Sequence, residues 1–158
     1  MPAEDRGPNV LVPPPFLFVA GWILAWVLSR LRTFPIDGAG PSPVQVGLGL
    51  VALAGGLTLM GWGLATFHRA RTPIVPVRPA RLVVTNGPFR FTRNPMYLGL
   101  TAGYFGLALL VNQAWPVVLL PAVLVALTTL VIEREERHLA RTFGAEYDAY
   151  RARVRRWL

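Results

Sequence analysis

The sequence has no cysteine and no lysine. The first absence excludes a disulfide framework and any thiolate metal site. The second means that all sixteen positive charges are arginine. Charge of either sign is scarce, at 15% of 158 residues, and it is confined. Residues 7–29, 38–67 and 94–132 hold none at all. Uncharged apolar runs longer than about 18 residues are the mark of membrane spans, because a bilayer core of ~30 Å needs about 20 helical residues. Such windows exclude an ordinary soluble enzyme and a disordered basic tail. Nothing near the start resembles a cleavable signal peptide, since Glu4 and Asp5 are acidic and the small-residue cleavage pattern is missing. No repeat of 20–50 residues is visible.

What remains is hydrophobic (53%, mean hydropathy +0.44) with a net charge of +8 and a pI of about 11.4. The arginines sit between the apolar blocks rather than along one soluble face. That arrangement belongs to membrane-flanking loops, so no nucleic-acid partner is expected. Prolines 13–15 suit an entry turn, and residues 16–31 read as a first span carrying Trp22 and Trp26. A connector rich in glycine and proline (33–43) leads to a second span over 44–67. Its six glycines would be costly in a soluble helix but allow close helix approach in lipid. Residues 68–93 hold six arginines and four prolines and cannot form one regular helix.

The uncharged window 94–132 is too long for one crossing, since as a single helix it would reach about 58 Å. It must fold back at Asn112-Gln113 and Pro116, giving spans of about 96–111 and 114–132. In the charged tail, Leu139, Phe143, Tyr147, Tyr150 and Val154 share one helical face, broken near Gly144. Such a helix is expected to lie along the membrane surface.

The expected fold is therefore all-α: a multi-pass membrane helical bundle of about four transmembrane helices with an amphipathic C-terminal helix. It forms one domain over 1–158, divided into two N-terminal spans (1–67), a loop (68–95), a helical hairpin (96–132) and a tail (133–158). Seven arginines in the tail, six in the loop and Arg6 share one side, against Arg30 and Arg32 on the other. The arginine-rich side, with both termini, is expected to be cytoplasmic, as in a bacterial inner-membrane protein.

Candidate chemistry gathers at that face. His68 and His138 have no metal-ligand context, so no metal is expected, and there is neither a Walker loop nor a GxSxG. From Gly87 to Gly99 the chain reads GPFRFTRNPMYLG. Pro95 fits a helix first turn, and the free N–H groups there, beside Arg90 and Arg93, can receive a carboxylate or phosphate. The plainer account is that these arginines touch lipid headgroups and that Tyr97 belongs to an interfacial belt. The second cluster is Glu133-Arg134-Glu135-Glu136-Arg137. Glu133 and Glu136 share a helix face, and Glu133, directly after Val131-Ile132, is a carboxylate at the membrane boundary that calls for a cation. Glu135 reads as an ion-pairing residue on a solvated surface. Together the clusters offer an anion receiver and a cation receiver beneath aromatic side chains, which also favour a sulfonium.

GPFRFTRNPMYLG, a hairpin, then EREERHLARTFGAEYDAYRARV closely resembles the isoprenylcysteine carboxyl methyltransferases, with the phospholipid N-methyltransferases nearby. The resemblance covers about residues 75–157. It implies an S-adenosylmethionine-dependent methyltransferase embedded in the membrane, acting on a lipophilic acceptor: an isoprenylcysteine-like carboxylate, a thiol or a lipid amine. The implied donor contacts are Arg81, Leu82, Val83, Val84, Phe89, Asn94, Pro95, Met96, Tyr97 and Glu133, to which the charge pattern adds Arg90, Arg93 and Glu136. Asn94 stands where the family often has histidine, Thr129 where the prenylcysteine enzymes have a substrate-binding arginine, and Val154-Arg155-Arg156 where Val-Pro-Arg is usual. No general base is evident. The competing readings are a non-enzymatic scaffold gripping anionic lipid and a membrane reductase using a nicotinamide cofactor. The acceptor and the oligomeric state are not fixed by the residues.

Overall fold

The computed structural model describes residues 12–70 and 82–158. Among them there is no strand. Six helices follow in order: α1 (Pro14–Leu31), α2 (Pro43–Arg69), α3 (Pro95–Leu110), α4 (Ala114–Leu127), α5 (Glu133–Phe143) and α6 (Ala145–Arg153). A 3₁₀ turn over Gly87–Arg90 precedes α3, and a π-helical turn over Thr128–Ile132 joins α4 to α5 without a break. α1, α2 and the continuous Ala114–Phe143 helix are long and apolar enough to cross a membrane. The expected multi-pass helical bundle is found, with one adjustment. The 16 residues of α3 reach only about 24 Å, so it is shorter than the bilayer core it was expected to span.

Proline starts three of these helices where its missing N–H costs nothing. Ser42 caps α2, its hydroxyl accepting from the Gln45 backbone N–H at 3.2 Å. The hairpin turns where the sequence places it. Asn112 takes the left-handed conformation (φ 54°), which its short polar side chain tolerates. That side chain then ties three segments together. Its Nδ2 donates to the Asp37 carbonyl (2.8 Å), and its Oδ1 accepts from the Asp37 N–H and from Gln45 Nε2, both at 3.0 Å.

Glycine decides how α2 and α3 meet. Gly49, Gly56 and Gly63 lie seven apart, two helical turns, and so share one face of α2. A Cβ on Gly56 would come within 2.5 Å of the Gly99 carbonyl oxygen, and one on Gly106 within 2.6 Å of the Gly49 carbonyl oxygen. The two backbones touch directly, as small-residue motifs permit in lipid. Opposite them, α1 and α4 close a core of Phe18, Tyr97, Tyr104, Val123, Leu127, Val131 and Ile132.

Gly144 (φ 48°) separates α5 from α6 as expected. The predicted apolar face of the tail is real, but it does not rest on lipid. Tyr147 and Tyr150 are buried with Val83, and Leu139, Phe143 and Val154 pack around them. α5 and α6 are thereby folded back onto the segment that leads into α3.

Candidate functional site

The start of α3 and the start of α5 converge at one end of the bundle. The Tyr97 hydroxyl donates to Glu135 Oε1 at 2.7 Å, across 38 residues of sequence. Arg93 places a terminal guanidinium nitrogen 3.3 Å from Glu136 Oε1. Arg156, beyond the end of α6, grips the same carboxylate in a fork, with Nε 3.1 Å from Oε1 and a terminal nitrogen 2.7 Å from Oε2. Such bidentate geometry is the stronger form of the arginine–carboxylate pair.

The tail is held in place by backbone as well as by charge. The Arg93 N–H donates to the Arg155 carbonyl (2.9 Å), while Asn94 Nδ2 (2.9 Å) and the Thr92 hydroxyl (3.1 Å) both donate to the Arg156 carbonyl. The Tyr150 hydroxyl donates to the Phe89 carbonyl at 2.8 Å, fixing the 3₁₀ turn against α6. Phe89 itself packs edge-on against Phe67 of α2, ring centroids 5.1 Å apart.

The model of the phospholipid methyltransferase family matches residues 44–146, about two thirds of the chain. The chain belongs to the phospholipid methyltransferase family. This is the neighbouring group in the expected resemblance, and it makes the protein a membrane methyltransferase. No curated protein and no solved structure matches the chain.

In this methyltransferase the predicted residues separate into groups. Arg93, Asn94, Tyr97 and Glu136 meet in one cluster, and Pro95 sits buried at the helix start that carries them. Val83 and Phe89 form its supporting wall, with Val84 half-buried beside Val83 and Leu82 exposed. Met96 points the other way, against Gly63 of α2. Arg90 is exposed and lies over the Phe91 ring, 5.4 Å from its centroid. Arg81 lies outside the described residues.

The acidic side needs correction. Glu135, expected on a solvated surface, is the carboxylate that meets Tyr97, while Glu133, whose backbone carbonyl accepts from Arg137 Nε, acts on the cluster through its charge on Arg156. The π turn is the cause. Counted from Val123 at 3.6 residues per turn, an uninterrupted α-helix brings position 134 to the core face, with 133 beside it. The Glu133 N–H instead bonds back five residues, to the Thr128 carbonyl, and the wider turn delays the face by about one residue. Glu135 arrives where Glu133 and Arg134 were due.

Burial pushes the Glu135 carboxyl from the usual 4.5 up to about 7; neighbouring Glu136 adds to the rise and the Tyr97 hydrogen bond opposes it. Glu135 lies beyond the apolar span, which ends at Ile132. Burial likewise raises the Tyr147 and Tyr150 phenols, with Arg93 pulling both back. The Arg156 guanidinium is held still more firmly charged, chiefly by its hydrogen bond to Glu136.

Arg93 Nε, shielded from solvent, has no hydrogen-bond partner among the described residues. The guanidinium meets Glu136 and the Tyr147 side chain elsewhere, so Nε is the part of this buried cation left to receive an anion. Thr92, Tyr147 and Tyr150 are members of the site to which sequence reasoning gave no role, although periodicity marked the two tyrosines, and Arg156 was noted only as the last residue of Val154-Arg155-Arg156.

Glu136 is the one carboxylate shared by two guanidiniums, so Glu136→Gln is expected to cost about 2–3 kcal/mol. That is less than for a fully buried pair, because the Arg156 side chain is 34% exposed. Arg156→Gln leaves Arg93 paired and is expected to cost under about 1 kcal/mol. Thermal melting in detergent separates the two, and faster tryptic cleavage at Arg155 and Arg156 in Glu136→Gln reports release of the tail.

Proposed function

We propose that the protein transfers the methyl group of S-adenosylmethionine to the amine headgroup of a membrane phospholipid. The observation that carries this is the unpaired Arg93 Nε set beside two carboxylates that converge from a remote part of the chain. A zwitterionic amino-acid moiety needs this combination: a buried cation with a free donor for its carboxylate, and acidic groups for its ammonium or ribose hydroxyls. Arg93 and Arg156 receive the carboxylate, Glu136 orients both, and Phe89 with Tyr97 supplies aromatic surface near the sulfonium.

When bound, the donor supplies an electrophilic methyl on sulfur. The remaining work falls to the chain. It aligns the acceptor nitrogen with that methyl and excludes water, positioning that can lower a barrier by on the order of 7–11 kcal/mol. An amine headgroup arrives protonated and must lose a proton before its nitrogen can attack. Glu135, with a pKa of about 7, is a base suited to that removal near neutral pH.

Calorimetry tests the donor assignment. The unmutated protein in detergent is expected to bind S-adenosylmethionine, Arg93→Gln to bind it about tenfold or more weakly, and Arg90→Gln to match the unmutated protein. Equal losses in the two arginine variants are the signature of a scaffold that reads charge alone. No binding of S-adenosylmethionine, with binding of a nicotinamide dinucleotide in its place, would establish the reductase reading.

A further inference from the structure

Beyond α6 the chain leaves the helix at Val154, whose backbone is extended (φ −119°, ψ 129°), and residues 154–158 run back across the cluster as a strap. The Val154 N–H still donates to the Tyr150 carbonyl (3.1 Å). Past that point no backbone N–H of residues 155–158 donates to another backbone group among the described residues. What holds the strap is the site itself. Its Arg155 and Arg156 carbonyls accept from the Arg93 N–H, the Thr92 hydroxyl and Asn94 Nδ2, and its Arg156 guanidinium forks onto Glu136. Trp157 packs on the apolar core cluster that contains Tyr97.

Beneath the strap the polar groups are sealed. Thr92 is 2% exposed, Asn94 8% and Tyr97 9%, and the Arg93 and Glu136 side chains are 11% and 13% exposed. A water-borne ligand as large as a nucleoside cannot reach groups shielded to this degree unless a covering segment moves. Three of the described segments around the cluster are fixed. α3 is pressed backbone to backbone on α2, α5 is continuous with α4 through the π turn, and α6 is rooted by buried Tyr147 and Tyr150. The strap has no such anchorage, and segments with few packed contacts and no ladder of their own open at the lowest cost.

We propose that residues 154–158 are a gate, which swings off the cluster about Val154 to admit and release S-adenosylmethionine and closes again to return Arg156 to Glu136. Opening leaves no buried group stranded, because water reaches the Arg93 N–H, the Thr92 hydroxyl, Asn94 Nδ2 and the Glu136 carboxylate as the strap's own groups depart. Only the open fraction takes up donor, so association scales with that fraction. The gate rests on the assignment of S-adenosylmethionine as the donor, and adds to it a route and an order: opening precedes binding.

The test is the rate, more than the strength, of tritiated S-adenosylmethionine binding to the full chain in detergent. Trp157→Ala removes the strap's apolar anchor and touches no group assigned to the donor. It is expected to raise the association rate constant about tenfold, with dissociation rising as well. Loss of a merely structural contact leaves association unchanged or slows it. The opposite variant joins Thr92→Cys to Arg156→Cys, where the Thr92 hydroxyl and the Arg156 carbonyl oxygen lie 3.1 Å apart in a chain with no cysteine of its own. Oxidised, this pair is expected neither to take up nor to release donor over hours, and reduction is expected to restore both. Association at the unmutated rate in Trp157→Ala overturns the gate, as does uptake by the oxidised pair as fast as by the reduced one. Absence of binding by the unmutated protein at any time ends the donor assignment and the gate together, whereas binding with unaltered rates ends the gate alone.

Discussion

Gly56→Leu is expected to yield no folded protein, while Gly55→Leu, one residue away, is expected to melt at or above the temperature of the unmutated chain. The contrast follows from the packing of α2 on α3. A Cβ at position 56 would lie 2.5 Å from the Gly99 carbonyl oxygen and 2.9 Å from the Gly103 nitrogen. Both are backbone atoms of a helix and cannot rotate aside. Relief requires α3 to move outward along its length, separating Gly106 from Gly49 and carrying Asn94 and Tyr97 away from the tail and Glu135. Ordinary overpacking costs about 1–3 kcal/mol where side chains can yield; here they cannot, so even Gly56→Ala is expected to reach or exceed the top of that range. At Gly55 a Cβ would meet nothing within 4 Å. Leucine there gains helix propensity of up to roughly 1 kcal/mol and adds apolar surface on the side away from α3. Thermal melts with size-exclusion profiles in detergent check the pair, and a folded Gly56→Leu protein would refute the close backbone contact.

The same face shows how far the sequence could be read. Uncharged windows located the spans because bilayer thickness fixes helix length, and Asn112 located the hairpin turn because few residues other than glycine tolerate its left-handed backbone. The glycines of α2 were legible as packing residues. Which of them packs was not, since Gly49, Gly56 and Gly63 meet α3 whereas Gly47, Gly55 and Gly61 meet nothing within 4 Å, and composition is blind to that division. At the site, Arg93, Asn94 and Tyr97 could be named because proline fixes where α3 begins. The acidic partner could not be fixed, because the π turn that brings Glu135 inward has no residue signature in Thr128–Ile132. Arg156 was hidden for a different reason. It reaches Glu136 from beyond the end of α6 at Arg153, where helical periodicity no longer says which way a side chain points.

Glu135→Gln is expected to separate stability from activity. Glutamine keeps an oxygen to accept from the Tyr97 hydroxyl, so the hydrogen bond at 2.7 Å is retained while the titrating group is lost. As a base, Glu135 must be ionised, so methyl transfer to an amine is expected to rise with pH up to about 7 and then level off. Glu135→Gln is expected to abolish that rise and to lower the rate by about 10²-fold or more, within the usual range for loss of a positioned base. Stability runs in the opposite direction. Because burial raises the folded carboxyl above its unfolded value of 4.5, the folded chain holds a proton that the unfolded chain would release. Its contribution is complete below pH 4.5 and is lost as pH climbs through about 7. The variant is therefore expected to melt above the unmutated protein at pH 8 and with it at pH 4.5. Transfer of tritiated methyl into phosphatidylethanolamine, followed across pH 5–9 beside melts of the same samples, measures both. A variant that keeps the pH-dependent rise would remove Glu135 from the proton path and leave Tyr97 and Glu135 as a structural pair.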